Sequence, residues 1–333
     1  MDIARELGVS VVTVSKVLRN HEDISEGTRE RVLNKIKELN YQPNFAARAL
    51  VTGRTYTVGL VVPDLIHPFF AEVAKGLSSG LRNRGYSLMI ASSEEDGDLE
   101  ANEIRQLVAR RSDVIVIASA QSTLESFRLI EEQKTPYILI DRQLSGLSAN
   151  FVGCDDEAVG EMATEHLISV GCRRIAHIRG PEISTGLGRL EGYQRVLASR
   201  NLGPRPGYIS AISGGDVDSE VRGREAMRQL LLLEPRPDSV FCFNDPTAMG
   251  AMTTILEAGL KVPDDIAVIG CGNLHYDAAL AVPLSSVDQQ SRVIGERTAR
   301  LALSLIQAKS PQRPRKIILT PEVVARASTW RKR

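Results

Sequence analysis

In MDIARELGVSVVTVSKVL (Met1–Leu18) a small residue, Ala4, stands four positions before Gly8, with apolar Val9 and Val14 beyond it. Two helices joined by a tight turn need those types at those places. The small side chain lets the helices cross closely, and glycine takes left-handed backbone without a Cβ clash. Val14, on the second helix, faces back onto the first. Ser10 is placed to cap the second helix, its hydroxyl accepting from the free N–H groups of the first turn. That helix then turns Val11, Val12, Thr13 and Lys16 towards solvent, where a recognition helix meets base edges. The competing reading is an ordinary helical hairpin, and this stretch alone only leans towards DNA.

A polar loop, Arg19–Glu26, leads to Thr28–Leu39, where Val32, Leu33, Ile36 and Leu39 recur at helical spacing. This third helix is expected to start at Ser25 with Thr28 and to cover the apolar side of the first two. In YQPNFAARALVTGRT (Tyr41–Thr55) Pro43 ends what precedes it, Asn44 can cap a short helix through Ala49 and Leu50, and Gly53 breaks it. A helix that short is unstable alone in water, so it is expected to order against a partner.

From Tyr56 the pattern changes to alternating strands and helices. Strands are expected at Thr57–Asp64, Tyr86–Ser93, Asp113–Ser119, Pro136–Asp141 and Asn150–Asp156, then at Arg174–Gly180, near Tyr208, and at Ser239–Asp245 and Asp265–Cys271. Helices are expected at Phe69–Arg84, Glu103–Arg110, Leu124–Glu132, up to Val170, Leu190–Arg200, Ser219–Leu233, Pro246–Ala258 and Ser291–Ala308. Two such series predict an α/β core of two subdomains with doubly wound parallel sheets. Ligands bind such sheets outside the carboxyl ends of the strands, so two facing subdomains enclose one cleft.

Composition bounds the function. The 333 residues are 43% hydrophobic and 25% charged, with a net charge of zero. Met1–Thr55 carries nine Lys and Arg against seven Asp and Glu, too small an excess to decide for or against nucleic acid. Cys154, Cys172, Cys242 and Cys271 form no CxxC pair and read as buried thiols. With no charged-then-apolar leader and no membrane-length apolar run, the protein is expected in the cytoplasm with no membrane partner. No GxSxG elbow follows a strand and no GxxxxGK[ST] occurs, and His67, His166, His177 and His275 lack the i, i+4 spacing of a metal pair. Gly186–Gly192 has GxGxxxG spacing without a following acidic strand end, and reads as a tight turn opening a helix. No enzyme activity, cofactor or metal is expected.

The strand ends carry the residues to weigh: Asp64, His67, Phe69 and Phe70 after the first strand, Asp141 and Arg142 after the fourth, and Thr185 and Arg189 at a helix entry. Asn244 and Asp245 stand before Pro246, Asn273 follows a strand, and Gln289 opens the last long helix. Aromatic faces beside carboxylates, amides and a guanidinium suit a polyhydroxylated ligand such as a sugar. Each also has a plain structural alternative: a local ion pair at Asp141–Arg142, a helix cap at Asn244–Asp245, core packing at Phe69–Phe70.

Along essentially its whole length the chain resembles the LacI/GalR family of bacterial transcription regulators. The resemblance is carried by DIARELGVSVVTVSKVL (Asp2–Leu18), LNYQPNFAARAL (Leu39–Leu50), VGLVVPD (Val58–Asp64), PFFAEV (Pro68–Val73), ID (Ile140–Asp141), GRLEGY (Gly188–Tyr193), FNDPTAMGA (Phe243–Ala251) and PLSSVDQ (Pro283–Gln289). It implies a helix-turn-helix headpiece (1–42), a hinge helix and linker (43–55) and a periplasmic-binding-protein-like core (56–333). The expected protein is a homodimeric repressor on pseudo-palindromic double-stranded operator DNA, controlled by a carbohydrate-like effector; a stand-alone sugar-binding protein is the alternative. By the same resemblance Ser10, Val11, Val12, Thr13, Ser15 and Lys16 meet the major groove. Asn44, Ala47 and Arg48 act in the hinge, and Leu50 inserts into the minor groove. Two features depart from the family. Relatives carry several residues before the segment that begins here at Asp2, so either the start lies upstream or the first helix frays. Sugar- and purine-binding relatives place an acid where this chain has Gly272, followed by Asn273.

Overall fold

The computed structural model describes residues 2–18, 23–39, 49, 52–120, 124–203, 205–211 and 217–330, with backbone only at Asp2, Ser15 and Leu18. The chain divides between Thr55 and Tyr56 into two compact units.

The first unit holds helices α1 (Asp2–Leu7), α2 (Val11–Leu18) and α3 (Glu26–Glu38). Gly8 takes the left-handed backbone, φ +63°, that the turn requires. Ser10 Oγ accepts from the Thr13 N–H at 3.0 Å, capping α2. Ile3, Ala4, Val14, Val17 and Val32 are buried together, with Leu7, Val9, Ile24 and Ile36 against them. Leu33 and Leu39, expected on the same stripe, are exposed. Leu33 is turned about 100° from Val32, and Leu39 is the C-cap beyond the end of α3.

In the second unit β1 (Thr57–Val62), β2 (Ser87–Ser92), β3 (Val114–Ile117), β4 (Tyr137–Ile140), β5 (Asn150–Cys154) and β11 (Lys316–Leu319) form one sheet. Its order is β11-β5-β4-β3-β1-β2, all parallel. A second sheet contains β6 (Ile175–Arg179), β7 (Ile209–Ala211), β8 (Ser239–Cys242), β9 (Ala267–Cys271), β10 (Ser285–Asp288) and β12 (Glu322–Val324). Its order is β12-β10-β9-β8-β6-β7, parallel except for β12, which runs antiparallel to β10. Both sheets are thus parallel-dominated, as expected, with β12 as an antiparallel edge. β10, β11 and β12 had no signal in the sequence: they are three or four residues long, and the buried hydroxyls of Ser285 and Ser286 stand where a core strand would carry apolar side chains.

The helices are α4 (Pro68–Arg82), α5 (Gly97–Ala109), α6 (Glu125–Glu132), α7 (Asp156–Ser169), α8 (Ser184–Ser199), α9 (Ser219–Leu231), α10 (Asp245–Glu257) and α11 (Ser291–Gln307). The chain passes from sheet to sheet between β5 and α7, between β10 and α11, and between β11 and β12. Three helix pairs meet glycine to backbone. A Cβ at Gly160 in α7 would lie 2.1 Å from Arg189 O in α8, and one at Gly192 would lie 2.1 Å from Glu157 O. Gly76 and Gly295 join α4 to α11 in the same way, and Gly223 and Gly250 join α9 to α10. The Gly186–Gly192 run is therefore the inside of a helix, not the turn expected before one: its glycines provide a close crossing.

Candidate functional site

On the headpiece, Val11 and Val12 are exposed at 59% and 61%. Thr13 Oγ1 lies 2.9 Å from Ser10 Oγ, so both hydroxyls are engaged in the cap. Lys16, expected to meet base edges, has its ammonium ion-paired with Asp23. The side chain of Ser15, and Asn44, Ala47, Arg48 and Leu50, lie outside the described residues.

In the core the strand ends of the two sheets meet. After β1, His67 Nε2 lies 3.3 Å from Asn244 Nδ2, which follows β8. After β4, the Gln143 N–H donates to Ser184 Oγ on α8 at 2.9 Å. The Asn244 amide is oriented by its own helix: Oδ1 accepts from the Thr247 N–H at 2.9 Å and from the Thr247 hydroxyl at 2.7 Å. Nδ2 is therefore the donor towards His67, and Nε2 of that imidazole accepts.

Arg189 is buried on α8. Its Nε donates to Asp156 Oδ1 at 3.0 Å, its Nη1 to Phe243 O at 2.6 Å, and its guanidinium stacks 4.6 Å from the Phe243 ring centre. Burial opposes its charge, but Cys271 and the carboxylates of Asp156 and Asp141 outweigh that and raise its pKa. Asp141 is buried beside this charge in left-handed backbone, φ +62°, a strain that collects at functional sites. One turn before Arg189, the Thr185 hydroxyl is buried, and among the described residues it has no hydrogen-bond partner; Gln289 Nε2 is in the same position. Gln289 lies between β10 and α11 rather than opening the helix.

Other expected site residues are engaged by partners within the core. Arg142 is 2% exposed, matched by Glu95 at 2.7 and 2.9 Å and donating to Ser119 O at 3.2 Å. It braces the wall of a groove of about 830 Å³ that Gln143, Ser184, Leu187 and Lys316 also line. Phe69 and Phe70 pack edge to face, 5.1 Å apart, within the core of the first sheet. The Asp64 carboxylate accepts from the Ile66 N–H at 2.8 Å, closing its own turn. Asn273 bridges Asp288 at 3.0 Å and Arg326 at 2.5 Å. The Asp245 carboxylate points inward, accepting from the Ser286 hydroxyl at 2.7 Å and the Leu274 N–H at 3.3 Å. It fills the space that a side chain at Gly272 would need, where a Cβ would stand 2.8 Å from Asp245 Oδ2. Asp156 and Glu95, which neutralise the two arginines, escaped the sequence reading. Asp156 lay hidden at the end of an expected strand, and Glu95 is separated from Arg142 by 47 positions.

Asp277 is buried beside Asp245. Burial and that neighbouring carboxylate push its carboxyl up to about 9. An unfolded aspartate titrates near ~3.9, so over the range between these values only the folded chain holds this proton. The group's contribution to stability is full below the unfolded value and is lost as pH rises towards 9. Asp277→Asn should remove that loss: the melting temperature of the variant, relative to the wild type, is expected to climb steadily from pH 5 to pH 9. Equal pH slopes for the two proteins would rule Asp277 out as the source.

Among the described residues no helix is long and apolar enough to cross a membrane. Residues 1–44 match the model of bacterial regulatory proteins of the lacI family, and residues 164–329 match the periplasmic binding protein-like domain. The HTH-type transcriptional repressor PurR of Aliivibrio salmonicida is 31% identical over 329 residues, covering 98% of this chain and 97% of that protein. The structure of a complex of the transcriptional regulator CelR with cellobiose is 29% identical, with a TM-score of 0.76 and 98% of each chain covered. The lac repressor dimer bound to operator and the anti-inducer ONPF is 25% identical, with a TM-score of 0.83 and again 98% of each chain covered. A capped recognition helix, two facing α/β subdomains and this full-length likeness agree: the chain belongs to the lacI family of bacterial regulatory proteins, DNA-binding transcription regulators whose core binds a small molecule.

Proposed function

We propose that the chain is a homodimeric, cytoplasmic repressor without enzymatic activity, controlled by an uncharged, hydroxyl-rich effector of the sugar class. Residues 1–42 form the reading head, 43–55 the hinge and 56–333 the effector core. Asp141, Thr185, Arg189, Asn244 and Gln289 contact the effector. One observation carries the effector class: both arginines of the cleft are already matched, Arg189 by Asp156 and Arg142 by Glu95, while Thr185 Oγ1 and Gln289 Nε2 are buried without partners among the described residues. Such a site favours hydroxyls over a phosphate or carboxylate, because the two buried arginines are already neutralised and do not repay desolvating an anion. Effector binding shifts closure of the subdomains and so the operator affinity of the dimer.

A thermal-shift screen of neutral sugars, sugar acids, sugar phosphates and purines tests this. A ligand at a hundred times its Kd adds about 2.7 kcal/mol, and the largest shift is expected from a neutral sugar. If a sugar phosphate or a purine shifts most, the effector class is wrong. On DNA, the purified chain should select a pseudo-palindrome of about sixteen to twenty base pairs. Leu50→Ala should weaken binding to it strongly while leaving the effector's thermal shift in place; unchanged operator affinity would remove Leu50 from the hinge contact.

A further inference from the structure

We propose that one edge of the first sheet, where its strands begin, is a second and sequence-blind DNA contact: a rim of cations that lies along backbone phosphates. This contact goes beyond base reading by α2 and requires only that the chain bind DNA.

In a parallel sheet every helix-to-strand loop returns to the same edge. In the first sheet these loops are 83–86, 110–113, 133–136 and 308–315. They hold seven cations, among them Arg84, Arg110, Lys134, Lys309 and Arg313, against one carboxylate, Asp113. All seven are exposed, and the five named make no ion pair among the described residues. The Asp113 carboxylate accepts from the Tyr56 N–H at 2.9 Å, holding the chain where the linker enters β1. Cations that follow a helix C-terminus also answer its dipole, which is the plain explanation for such loops. The second sheet shows that the dipole alone does not produce this balance. Its loops 170–174, 200–208, 232–238 and 258–266 also follow helices, yet they hold six cations and four carboxylates. Arg200 there is paired with Glu165 at 2.7 Å. Residues 56–333 as a whole have slightly more Asp and Glu than Lys and Arg, so the cations are concentrated at one edge of a core that is not basic.

The linker enters at that same edge: in the sheet order β1 lies between β3 and β2, whose loops carry Arg110 and Arg84. Six strands about 4.8 Å apart make the edge roughly 24 Å long, the rise of about seven base pairs. An acidic protein or an anionic membrane would also suit the charge. DNA is favoured because residues 1–44, the match to the lacI family, are joined through the linker to this edge, and a tether raises the effective concentration of what it holds. Exposed Arg and Lys then act by displacing counterions condensed on the phosphates, which needs no cavity, and phosphate contacts carry no base information.

The experiment uses the full chain. A rim variant combines Arg84→Gln, Arg110→Gln, Lys134→Gln and Arg313→Gln. A control variant combines Arg173→Gln, Arg205→Gln, Arg236→Gln and Lys261→Gln, exposed positions in the loops of the second sheet, so that both lose the same charge. Circular dichroism melts verify folding. Affinity is measured at several salt concentrations on the selected operator with flanking sequence and on random duplex. The rim variant is expected to lose roughly tenfold on both duplexes at low salt, with their ratio unchanged. Its slope of log affinity against log salt should fall by about one for each phosphate contact removed, while the control stays close to the wild type. Arg84→Gln with Arg110→Gln, and Lys134→Gln with Arg313→Gln, should each give part of the loss. A rim variant that binds random duplex as tightly as the control, or a loss confined to the operator, would overturn the proposal. If the wild type selects no operator, base reading by α2 fails, and the random duplex still decides the rim.

Discussion

Gly192→Ala should destabilise the core by about 3 kcal/mol or more, against the usual gain of ~1 kcal/mol when alanine replaces glycine in a helix. The added Cβ would stand 2.1 Å from Glu157 O and 2.8 Å from Glu161 N. Both atoms are backbone of α7, so no side-chain rotation relieves the overlap and the two helices must move apart. Doing so opens the cluster in which Val159, Ala163 and Leu167 of α7 pack on Tyr193 and Leu197 of α8, and lost packing adds to the strain. Gly27→Ala is the contrast: a Cβ there meets nothing within 4 Å, and the residue lies within α3, so a slight stabilisation of the headpiece is expected. Thermal melts followed by circular dichroism measure both. If Gly192→Ala melts with the wild type, the close crossing is not a constraint on the fold.

Arg189→Ala should be comparably costly, about 3–5 kcal/mol, because it strands the buried Asp156 carboxylate and strips the cation from the Phe243 face. This changes how the residue can be tested. Loss of a ligand-induced thermal shift in Arg189→Ala would follow from a damaged core as readily as from a lost contact. The double variant Arg189→Leu with Asp156→Leu removes both charges and should recover most of the stability, since replacing a whole buried pair by apolar groups is often neutral. Chemical denaturation of the two single variants and the double variant gives the coupling. Additive losses would mean that Arg189 and Asp156 do not depend on each other. If the stabilised double variant keeps the effector's thermal shift, Arg189 serves the fold rather than the ligand.

Much of the fold was legible because its signals are local. The apolar runs of β1, β3, β8 and β9 are buried along nearly their whole lengths, and runs of that kind announce parallel strands. Gly8 and Ser10 announced their turn and cap because both effects act within a few residues. β10, β11 and β12 were silent because their pairing comes from strands far away: β11 lies on β5, and β12 on β10. The glycines of α8 misled for a related reason. A glycine that admits another helix looks, within its own segment, like one that breaks its own.

The site divides in the same way. Residue types and their places at strand ends made Asp141, Arg189 and Asn244 candidates for the cleft, and the side chains of α2 follow from its cap and period. Which of those groups remain available is set by partners distant in sequence. Glu95 occupies Arg142, Asp156 occupies Arg189, Ser286 and the Leu274 N–H turn Asp245 inward, and Asp23 holds Lys16. The sequence by itself determined the fold class, because capping, periodicity and strand burial act over short spans, and its resemblance to the LacI/GalR family implied the class of protein. Only the tertiary structure decided which charges are already neutralised and which hydrogen-bonding atoms are left over, because Coulomb forces and hydrogen bonds depend on distances in space that the order of residues does not fix.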